Sequence, residues 1–232
     1  MQAGLHIAIV GNGNVGHHLQ KALEGIATVH PVGRDLIIPE ACDLIMVCVP
    51  DDSVARVCEQ LPENKLVVHT AGAVPMQDNN RSGVFYPLYS FSKDAEVNWS
   101  QIPILLEANS TEDLGLLKEL ATQLTEKVFE VSSAGRNQLH VSAVLVNNFT
   151  NHLYTLAFDH ATQHNVPVET LFAIMRQGPE KAIQLGPINA QTGPAIRGDR
   201  STIEAHLSKI QDEELRSLYQ LLSDSIHNTH NR

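Results

Sequence analysis

The sequence has little positive charge and no block of basic residues. Its 16 Lys and Arg are outnumbered by 26 Asp and Glu, which gives a formal net charge of −10 over 232 residues. A general affinity for nucleic acid is not expected, because no part of the chain could neutralise a run of phosphates. The 12 histidines would offset this charge only in mild acid.

Cysteine is also scarce, with residues only at Cys42, Cys48 and Cys58 and no CxxC spacing. An odd number without paired spacing argues against a disulfide framework and is typical of a reducing compartment. The N-terminus lacks the basic region and cleavage site of a signal peptide, and no apolar run is long and clean enough to span a bilayer. We therefore expect a cytoplasmic protein without a membrane segment.

The sequence contains no GxSxG motif of α/β-hydrolases, no HExxH motif of zinc proteases and no P-loop of nucleoside triphosphatases. Only His152, His160 and His164 suggest a metal site. His160 and His164 share a helix face, but His152 lies about 80° from His160 at helical spacing and no carboxylate completes a site. We expect no bound metal.

Short apolar runs alternate with helical segments up to about residue 131, which is typical of a doubly wound, parallel α/β sheet. The composition changes at 132–135, and only helices are predicted beyond it. We therefore expect a Rossmann domain over residues 1–132 and an all-α domain over residues 133–232. The predicted strands are 5–10, 28–32, 44–49, 66–68, 83–86, 104–107 and 128–131. The predicted late helices are 136–164, 168–185 and 201–226, the last with a capping box at 201–204, and a disordered tail is predicted over 227–232.

The first predicted strand ends at a GxGxxG motif that opens a helix. Gly11 permits the tight turn, Gly13 lets the backbone approach a pyrophosphate, and Gly16 allows close packing of helix and strand. The motif lies at the first strand-to-helix turn, where a dinucleotide site requires it, although a glycine turn without a ligand is the alternative. The residues predicted to bind the cofactor here and after the third strand are Gly11, Asn12, Gly13, Asn14, Val15, Gly16, Val49 and Pro50.

Arg34 follows the second predicted strand, where NAD enzymes usually carry an Asp or Glu that binds the ribose hydroxyls. Residues 30–34, at the end of this strand and just after it, contain no carboxylate, and the first one that follows is Asp35. The planar guanidinium of Arg34 could instead pair with a 2′-phosphate, which favours NADP over NAD. The alternative is that Arg34 is a solvated loop residue.

The first helix of the second domain has no Lys, Arg, Asp or Glu between Arg136 and Asp159. A surface helix of that length would carry several charges. At about 100° per residue, one face is apolar and the opposite face is polar but uncharged, so we predict that both are buried. The apolar face holds Leu145, Val146, Phe149, Leu153 and Leu156. The polar face holds His140, Asn147, Asn151 and Tyr154, with Asn148 at its flank.

Two interpretations of this polar face stay open. It could line a dimer or domain interface, or it could face the cleft where a nicotinamide and a polar substrate would lie. In the second case His140 is the acid–base candidate, because it can titrate near neutrality. Asn147 is then a further catalytic candidate, and Asn148 and Asn151 are candidate substrate contacts.

Three other residues are candidates for the same site. His69 follows the fourth strand at the edge where ligands bind, or it only caps backbone groups there. Tyr86 could stack or donate a hydrogen bond at that edge, or it only covers the core. Arg197 could clamp a substrate carboxylate or phosphate, or pair with Asp199 to hold its own loop.

Together, the glycine loop, HTAG at 69–72, FYPL at 85–88, NNFTN at 147–151 and TGPAIRGD at 192–199 resemble a family of NADP oxidoreductases. Its members join a Rossmann-like domain to a helical C-terminal domain of unknown function, and are similar to pyrroline-5-carboxylate reductase and deazaflavin-dependent NADP reductases. The resemblance covers nearly the whole chain. It implies a 6-phosphogluconate-dehydrogenase-like helical domain, a cleft between the domains and a homodimer formed by the helices.

The sequence departs from the related β-hydroxyacid dehydrogenases, which carry a catalytic lysine just before a pair of asparagines on this helix. If Asn147 and Asn148 are that pair, the apolar Val144 takes the place of the lysine. Oxidation of a hydroxyacid is therefore not expected. Reduction of an imine requires less from the protein, because the cofactor carries the hydride and an iminium is already electrophilic.

The leading hypothesis is an NADP-dependent reductase that acts on a small polar imine or carbonyl substrate in the interdomain cleft. In this hypothesis, His140 or His69 transfers the proton. The alternative is a non-catalytic NADP-binding or regulatory protein with a degenerate site. The missing lysine supports the alternative, whereas the uncharged polar helix face supports the reductase.

Overall fold

The computed structural model describes residues 4–231. The chain divides into two compact units between Val146 and Asn147. The first unit is built on a seven-stranded sheet, and the second consists of helices and the segments that join them. This confirms the predicted fold class, a Rossmann-type α/β unit followed by a helical one.

The strands lie close to their predicted positions. They are β1 (His6–Val10), β2 (Thr28–Val32), β3 (Leu44–Val47), β4 (Leu66–His69), β5 (Ser82–Pro87), β6 (Ile104–Ala108) and β7 (Val128–Glu130). All residues of β3 and β4 are buried. Continuous apolar runs of this kind are typical of parallel strands covered on both faces.

The strand order is β2-β1-β3-β4-β5-β6-β7, and the order reverses between β1 and β3. Every pair is parallel except β5 with β6, which is antiparallel. The sheet is therefore mostly parallel, as predicted, with one antiparallel pair that the sequence did not indicate. Residues 88–103 contain a 3₁₀ turn at Trp99–Gln101 and no α-helix, so they return the chain beside β5 without a helical crossover.

Four α-helices belong to the first unit: α1 (Asn14–Leu23), α2 (Val54–Cys58), α3 (Thr111–Thr122) and α4 (Ser133–Ala143). One apolar cluster on the sheet includes Leu19, Met46, Phe85 and Leu117, and a second includes Val47, Val54 and Val67. The three cysteines are free thiols buried in these clusters.

Helix α4 is grouped with the sheet, although the composition changes just before it. Its buried Arg136 forms an ion pair with Glu107 of β6, and the hydroxyl of Ser133 donates to the same carboxylate (2.7 Å). These charged contacts hold the first turn of the helix on the sheet. The division at Val146 therefore lies later than the predicted boundary at residues 132 and 133.

The second unit contains α5 (Thr150–Gln163), α6 (Phe172–Leu185), α7 (Pro187–Ala190), α8 (Arg200–Leu207) and α9 (Glu213–His230). A π-helical segment, Val144–Phe149, joins α4 to α5. The single helix predicted over 136–164 is therefore interrupted by wider turns. No helix in the described part of the chain combines the length and apolar character needed to cross a membrane.

The predicted helix over 201–226 is two helices. Asp199, not Ser201, caps α8: its carboxylate accepts the backbone N–H of Thr202 (3.1 Å). Asp212 then caps α9 by accepting the N–H of Leu215 (2.7 Å). Because α9 continues to His230, the predicted disorder is wrong for residues 227–230, while Arg232 lies outside the described residues.

Candidate functional site

The carboxyl ends of β1 and β3 form the crevice where the strand order reverses. In open α/β sheets, ligands bind at this position. Gly11 follows β1 directly, and Val49 and Pro50 lie just beyond β3. The topology therefore brings the glycine motif and the predicted residues after the third strand to one edge.

Two glycines of the motif are required by packing. Gly11 has a φ of +105°, and a Cβ there would lie 2.4 Å from the backbone oxygen of Cys48. A Cβ on Gly16 would lie 2.3 Å from the backbone oxygen of Gly11. Both distances are far below van der Waals contact, so side chains at these positions would separate the loop from β3.

Gly13 has a different role. A Cβ there would meet no atom within 4 Å, so packing does not explain the glycine. Gly13 is the N-cap of α1, no side chain caps the helix, and its first turn contains no acidic residue. Free backbone donors at a helix N-terminus attract anions. The open side of Gly13 is thus suited to an approaching pyrophosphate.

Asn14 opens α1 together with Val15, and its side chain is engaged by another segment of the protein. Its amide donates a hydrogen bond to the backbone oxygen of Phe91 (2.9 Å). His18, one turn later, contacts the backbone oxygen of Ser92 at 2.9 Å through Nε2. These two contacts hold the segment after β5 against the helix, so only the backbone of Asn14 is left for a cofactor.

A cavity of about 790 Å³ lies beside the glycine loop in the first unit. Gly11, Asn12, Arg34, Val49 and Pro50 line it, so five of the predicted cofactor residues share one pocket. Polar residues of α2 and its flanks that the sequence did not single out also line it: Ser53, Arg56 and Gln60.

Tyr86 and His140 meet at the same end of the sheet. The hydroxyl of Tyr86 lies 3.3 Å from Nδ1 of His140, within hydrogen-bond distance, and both residues are partly buried. A Cβ on Gly72 would lie 2.7 Å from His140 Nδ1 and 2.8 Å from the Tyr86 hydroxyl. The HTAG segment therefore ends in glycine to leave room for this pair, a role that the sequence did not reveal.

Burial and the charge of Asp51 raise the pKa of Tyr86, while Arg136 opposes the change. The tyrosine hydroxyl therefore stays protonated well above neutral pH. As a neutral group it can orient His140, but it is a poor site for a negative charge.

His69 is buried, and both of its ring nitrogens contact backbone groups. The N–H of Ala71 donates to Nδ1 (3.2 Å), so Nε2 carries the proton and donates to the oxygen of Pro75 (3.1 Å). Burial and the nearby Arg136 lower the pKa of His69 to about 4. These contacts match the alternative in which His69 caps backbone groups.

Arg136 and Glu107 form a charged network beneath the pair. The Arg136 guanidinium is 1% exposed, donates to Glu107 Oε2 (2.6 Å) and also donates to the backbone oxygen of Val74 (2.6 Å). Burial alone would raise the pKa of Glu107, but hydrogen bonds from Ser133 and Arg136 outweigh it and lower that pKa. The site thus rests on a compensated buried ion pair.

Of the predicted polar face, Asn147, Asn148 and Asn151 lie in the second unit and are exposed. Tyr154 is partly buried in the second unit, and His140 belongs to the first unit. Asn147 and Asn148 belong to the π-helical segment, where the Asn147 amide donates to the Asn148 side-chain oxygen (3.0 Å). Asn151 follows in α5. Because π-turns break the regular spacing of 100° per residue, the predicted polar stripe is not continuous.

The prediction that both faces of this helix are buried is wrong for the chain alone. Val146 and Phe149 are 75% and 57% exposed, and Leu153 is 38% exposed. Helical spacing cannot tell a face buried within one chain from a face that needs another molecule.

Arg197 is exposed in the loop before α8, where its charge acts on the carboxylate of Asp199. His227 of α9 holds this loop by contacting the backbone oxygen of Ala195 (3.3 Å). Elsewhere in this unit, the rings of His160 and His164 lie 4.6 Å apart. Among residues 4–231, no group of three or more His, Cys, Asp or Glu is placed to hold a metal ion.

Comparison with known proteins shows similarity over most of the chain. The family described as "Domain of unknown function (DUF2520)" matches residues 102–226. The "putative NADP oxidoreductase BF3122" from Bacteroides fragilis is 34% identical, with a TM-score of 0.85 over 97% of this chain and 99% of that one. No curated protein matches the sequence.

Two more distant structures share the fold. Protein TM1727 from Thermotoga maritima is 18% identical, with a TM-score of 0.74 over 97% of this chain and all of that one. An imine reductase from Myxococcus stipitatus, solved in complex with NADP⁺, is 15% identical, with a TM-score of 0.66 over 97% and 93% of the two chains.

Proposed function

Since this chain belongs to the DUF2520 family, we propose that it is an NADP-dependent oxidoreductase that reduces a small polar imine or carbonyl compound. The observation that carries the proposal is the glycine loop, in which Gly11 and Gly16 are required by packing and Gly13 is open. The oxidoreductase name of the 34% identical Bacteroides fragilis protein supports the reaction class. The imine reductase with the same fold supports the choice of substrate.

The residues present fit a dinucleotide. The uncapped N-terminus of α1 and the open Gly13 would receive the pyrophosphate, with Asn12 and the backbone of Asn14 and Val15 beside it. Arg34 lines the neighbouring cavity and would bind the 2′-phosphate of NADP, while Val49 and Pro50 form another wall.

A bound nicotinamide supplies a hydride, which leaves the protein to supply a proton. We assign this proton to Nε2 of His140, which would donate it to the substrate nitrogen or oxygen. Tyr86 lies on the other ring nitrogen and orients the imidazole. Tyr86 is assigned this orienting role because burial raises its pKa and makes it a weaker acid.

We further propose that the helical unit supplies substrate contacts. Asn147 would hydrogen-bond the reacting group, and Asn148, Asn151 and Arg197 would bind polar or anionic parts of the substrate. All four are exposed, and the asparagines lie in or directly after a π-helical segment, a feature frequent at functional sites. The absence of a lysine on this helix favours imine reduction over hydroxyacid oxidation.

We propose that the protein works as a homodimer formed by its helical unit. Phe149 and Leu153 of this unit expose apolar surface, Val146 directly before it is 75% exposed, and Ile183 of α6 is 84% exposed. Contiguous exposed apolar surface is typical of protein interfaces. Light scattering should report a dimer for the native protein and a monomer for Phe149→Asp; a native monomer would contradict this proposal.

We place the protein in the cytoplasm. Its cysteines are three unpaired thiols, which suit a reducing compartment.

The reductase proposal is tested by binding and by turnover. NADPH should bind in a fluorescence titration. A substrate screen should contain cyclic imines, and ketones tested with and without an added amine. At least one of these compounds should be reduced, with oxidation of NADPH. His140→Gln should lower kcat by about 10²- to 10⁴-fold without weakening NADPH binding, because it removes the proton donor. Tyr86→Phe should lower kcat less.

The binding and turnover measurements together separate the two alternatives. NADPH binding without turnover of any compound would favour the non-catalytic alternative. Failure to bind NADPH would overturn the proposal.

A further inference from the structure

The open cavity beside the glycine loop is lined by two chain segments that lie apart in the sequence. Arg34 follows β2 on one side, and α2 with its flanks contributes Ser53, Arg56 and Gln60 on the other. The lining also includes apolar side chains, among them Val32 and Val57. A planar, partly apolar group with an anionic substituent would suit this lining.

The charge of the cavity has one sign. Arg34 and Arg56 are the ionisable residues in its lining, and no Asp or Glu lines it in the described part of the chain. Neither guanidinium forms an ion pair or a side-chain hydrogen bond with any residue in 4–231. Two arginines without a counter-charge in one lining have the charge and the donors that a doubly charged anion requires.

Helix α2 is held so that Arg56 stays on this side. Val54 and Cys58 are buried in the core, and at about 100° per residue position 56 lies on the opposite face from both. The Gln60 side chain donates to the backbone oxygen of Arg56 (2.7 Å) and closes the last turn. The arginine therefore projects from an anchored turn, with only its own side-chain torsions free.

We infer that Arg56 is a second specificity residue, which with Arg34 binds the 2′-phosphate monoester of NADP. This inference rests on the proposed function and deepens it. A ribose carrying a 2′-phosphate differs from one carrying a hydroxyl by about two negative charges, and two guanidinium forks can neutralise them. The preference for NADP over NAD is then shared by two segments instead of depending on Arg34 alone.

Two small probes separate this role from general nucleotide binding. 2′,5′-ADP and 5′-AMP differ only by the 2′-phosphate and contain no nicotinamide, so calorimetry measures the subsite without catalysis. The native protein should bind 2′,5′-ADP more tightly than 5′-AMP. Arg56→Gln should weaken 2′,5′-ADP at least about tenfold and change 5′-AMP less than about twofold.

Three further variants complete the design. Arg34→Gln should have a similar effect, and Arg56→Lys should lie between native and Arg56→Gln because it keeps the charge without the fork. Lys21→Gln is the matched control: it removes one exposed positive charge from the last turn of α1, outside the cavity lining. It should leave both affinities unchanged, and thermal denaturation should show that all variants are folded.

The outcomes are distinguishable. If Arg56→Gln changes neither probe, or weakens both by the same factor, the inference is overturned while the proposed function stands. If the native protein binds neither probe, the proposed function fails, and this inference fails with it. Equal native affinity for both probes would overturn the role of both arginines.

Discussion

The hydroxyl of Tyr86 and Nδ1 of His140 lie 3.3 Å apart, joining strand β5 to helix α4. Gly72 is the third member of this arrangement, because its missing Cβ leaves the space that the two side chains occupy. The pair therefore depends on a residue that contributes no chemistry of its own.

Gly72→Ala should separate the pair. The added methyl group would lie 2.7 Å from both Tyr86 Cζ and His140 Nδ1, so the side chains must move. We expect a loss of about 1–3 kcal/mol in the free energy of unfolding, measured by urea denaturation. Gly115→Ala in α3 is the control: its Cβ meets nothing within 4 Å, and it should stabilise by about 0.5–1 kcal/mol. Equal effects of the two substitutions would contradict the packing role of Gly72.

Two glycines of the phosphate loop should respond in opposite ways. Gly13→Ala should lower the free energy of unfolding by less than about 1 kcal/mol, since its Cβ meets no neighbour. It should nevertheless weaken NADPH binding at least about tenfold, because the methyl group would lie where the pyrophosphate approaches. Gly16→Ala should destabilise the fold by about 1–3 kcal/mol. Native NADPH affinity in Gly13→Ala would show that the pyrophosphate does not bind there.

His69 should make the first unit less stable in mild acid. Its pKa of about 4 lies below the ordinary value of 6.5, so the unfolded chain takes up a proton that the folded chain does not. Stability is therefore unaffected above pH 6.5 and falls as the pH drops from 6.5 to about 4, by about 3 kcal/mol in all.

The measurement is urea denaturation between pH 7 and 4.5, followed by the fluorescence of Trp99, the single tryptophan. His69→Gln cannot titrate, so its stability should depend less on pH than that of the native protein. Glu107 and Asp113 have lowered pKa values, and their contributions are lost only at lower pH. Parallel curves for native and variant would refute this role of His69.

Replacing only one partner of the Glu107–Arg136 ion pair should lower the free energy of unfolding substantially. Glu107→Gln leaves the buried Arg136 without its counter-charge, and we expect a loss of about 3 kcal/mol. The double variant Glu107→Leu/Arg136→Met should recover most of that loss, because no buried charge remains. Glu130→Gln breaks the exposed Lys118–Glu130 pair and should cost less than about 1 kcal/mol. Similar costs for the two Glu→Gln variants would show that burial of Arg136 does not matter.

Much of the sheet could be predicted because buried parallel strands have continuous apolar sequences. Leu44–Val47 is such a run, and its position was predicted. The antiparallel β6 could not be, because strand direction depends on the path of residues 88–103, which has no periodic signal. The π-helical segment was missed for a related reason: wider turns have no characteristic residue pattern, and the helical wheel assumes constant spacing.

The candidate site was predicted where chemistry and local context coincide, as in the glycine loop. Other site residues could not be predicted, because their roles depend on residues that are distant in the sequence. Gly72 acquires its role from residues at positions 86 and 140, and Arg56 looks like any solvent-facing arginine until its helix is placed beside Arg34. His140 was selected for its chemistry, but its contact with Tyr86 required the fold.

All three cysteines lie in the first unit, with exposed fractions of 0% for Cys42, 7% for Cys48 and 2% for Cys58. Burial raises the pKa of the Cys48 thiol to about 12 and that of Cys58 to about 11, so neither forms a reactive thiolate in the folded state. The helical unit has no sulfhydryl. The rate of alkylation by an external reagent therefore reports opening of the first unit alone. Comparison of this rate with the unfolding of the helical unit would show how independently the two units unfold.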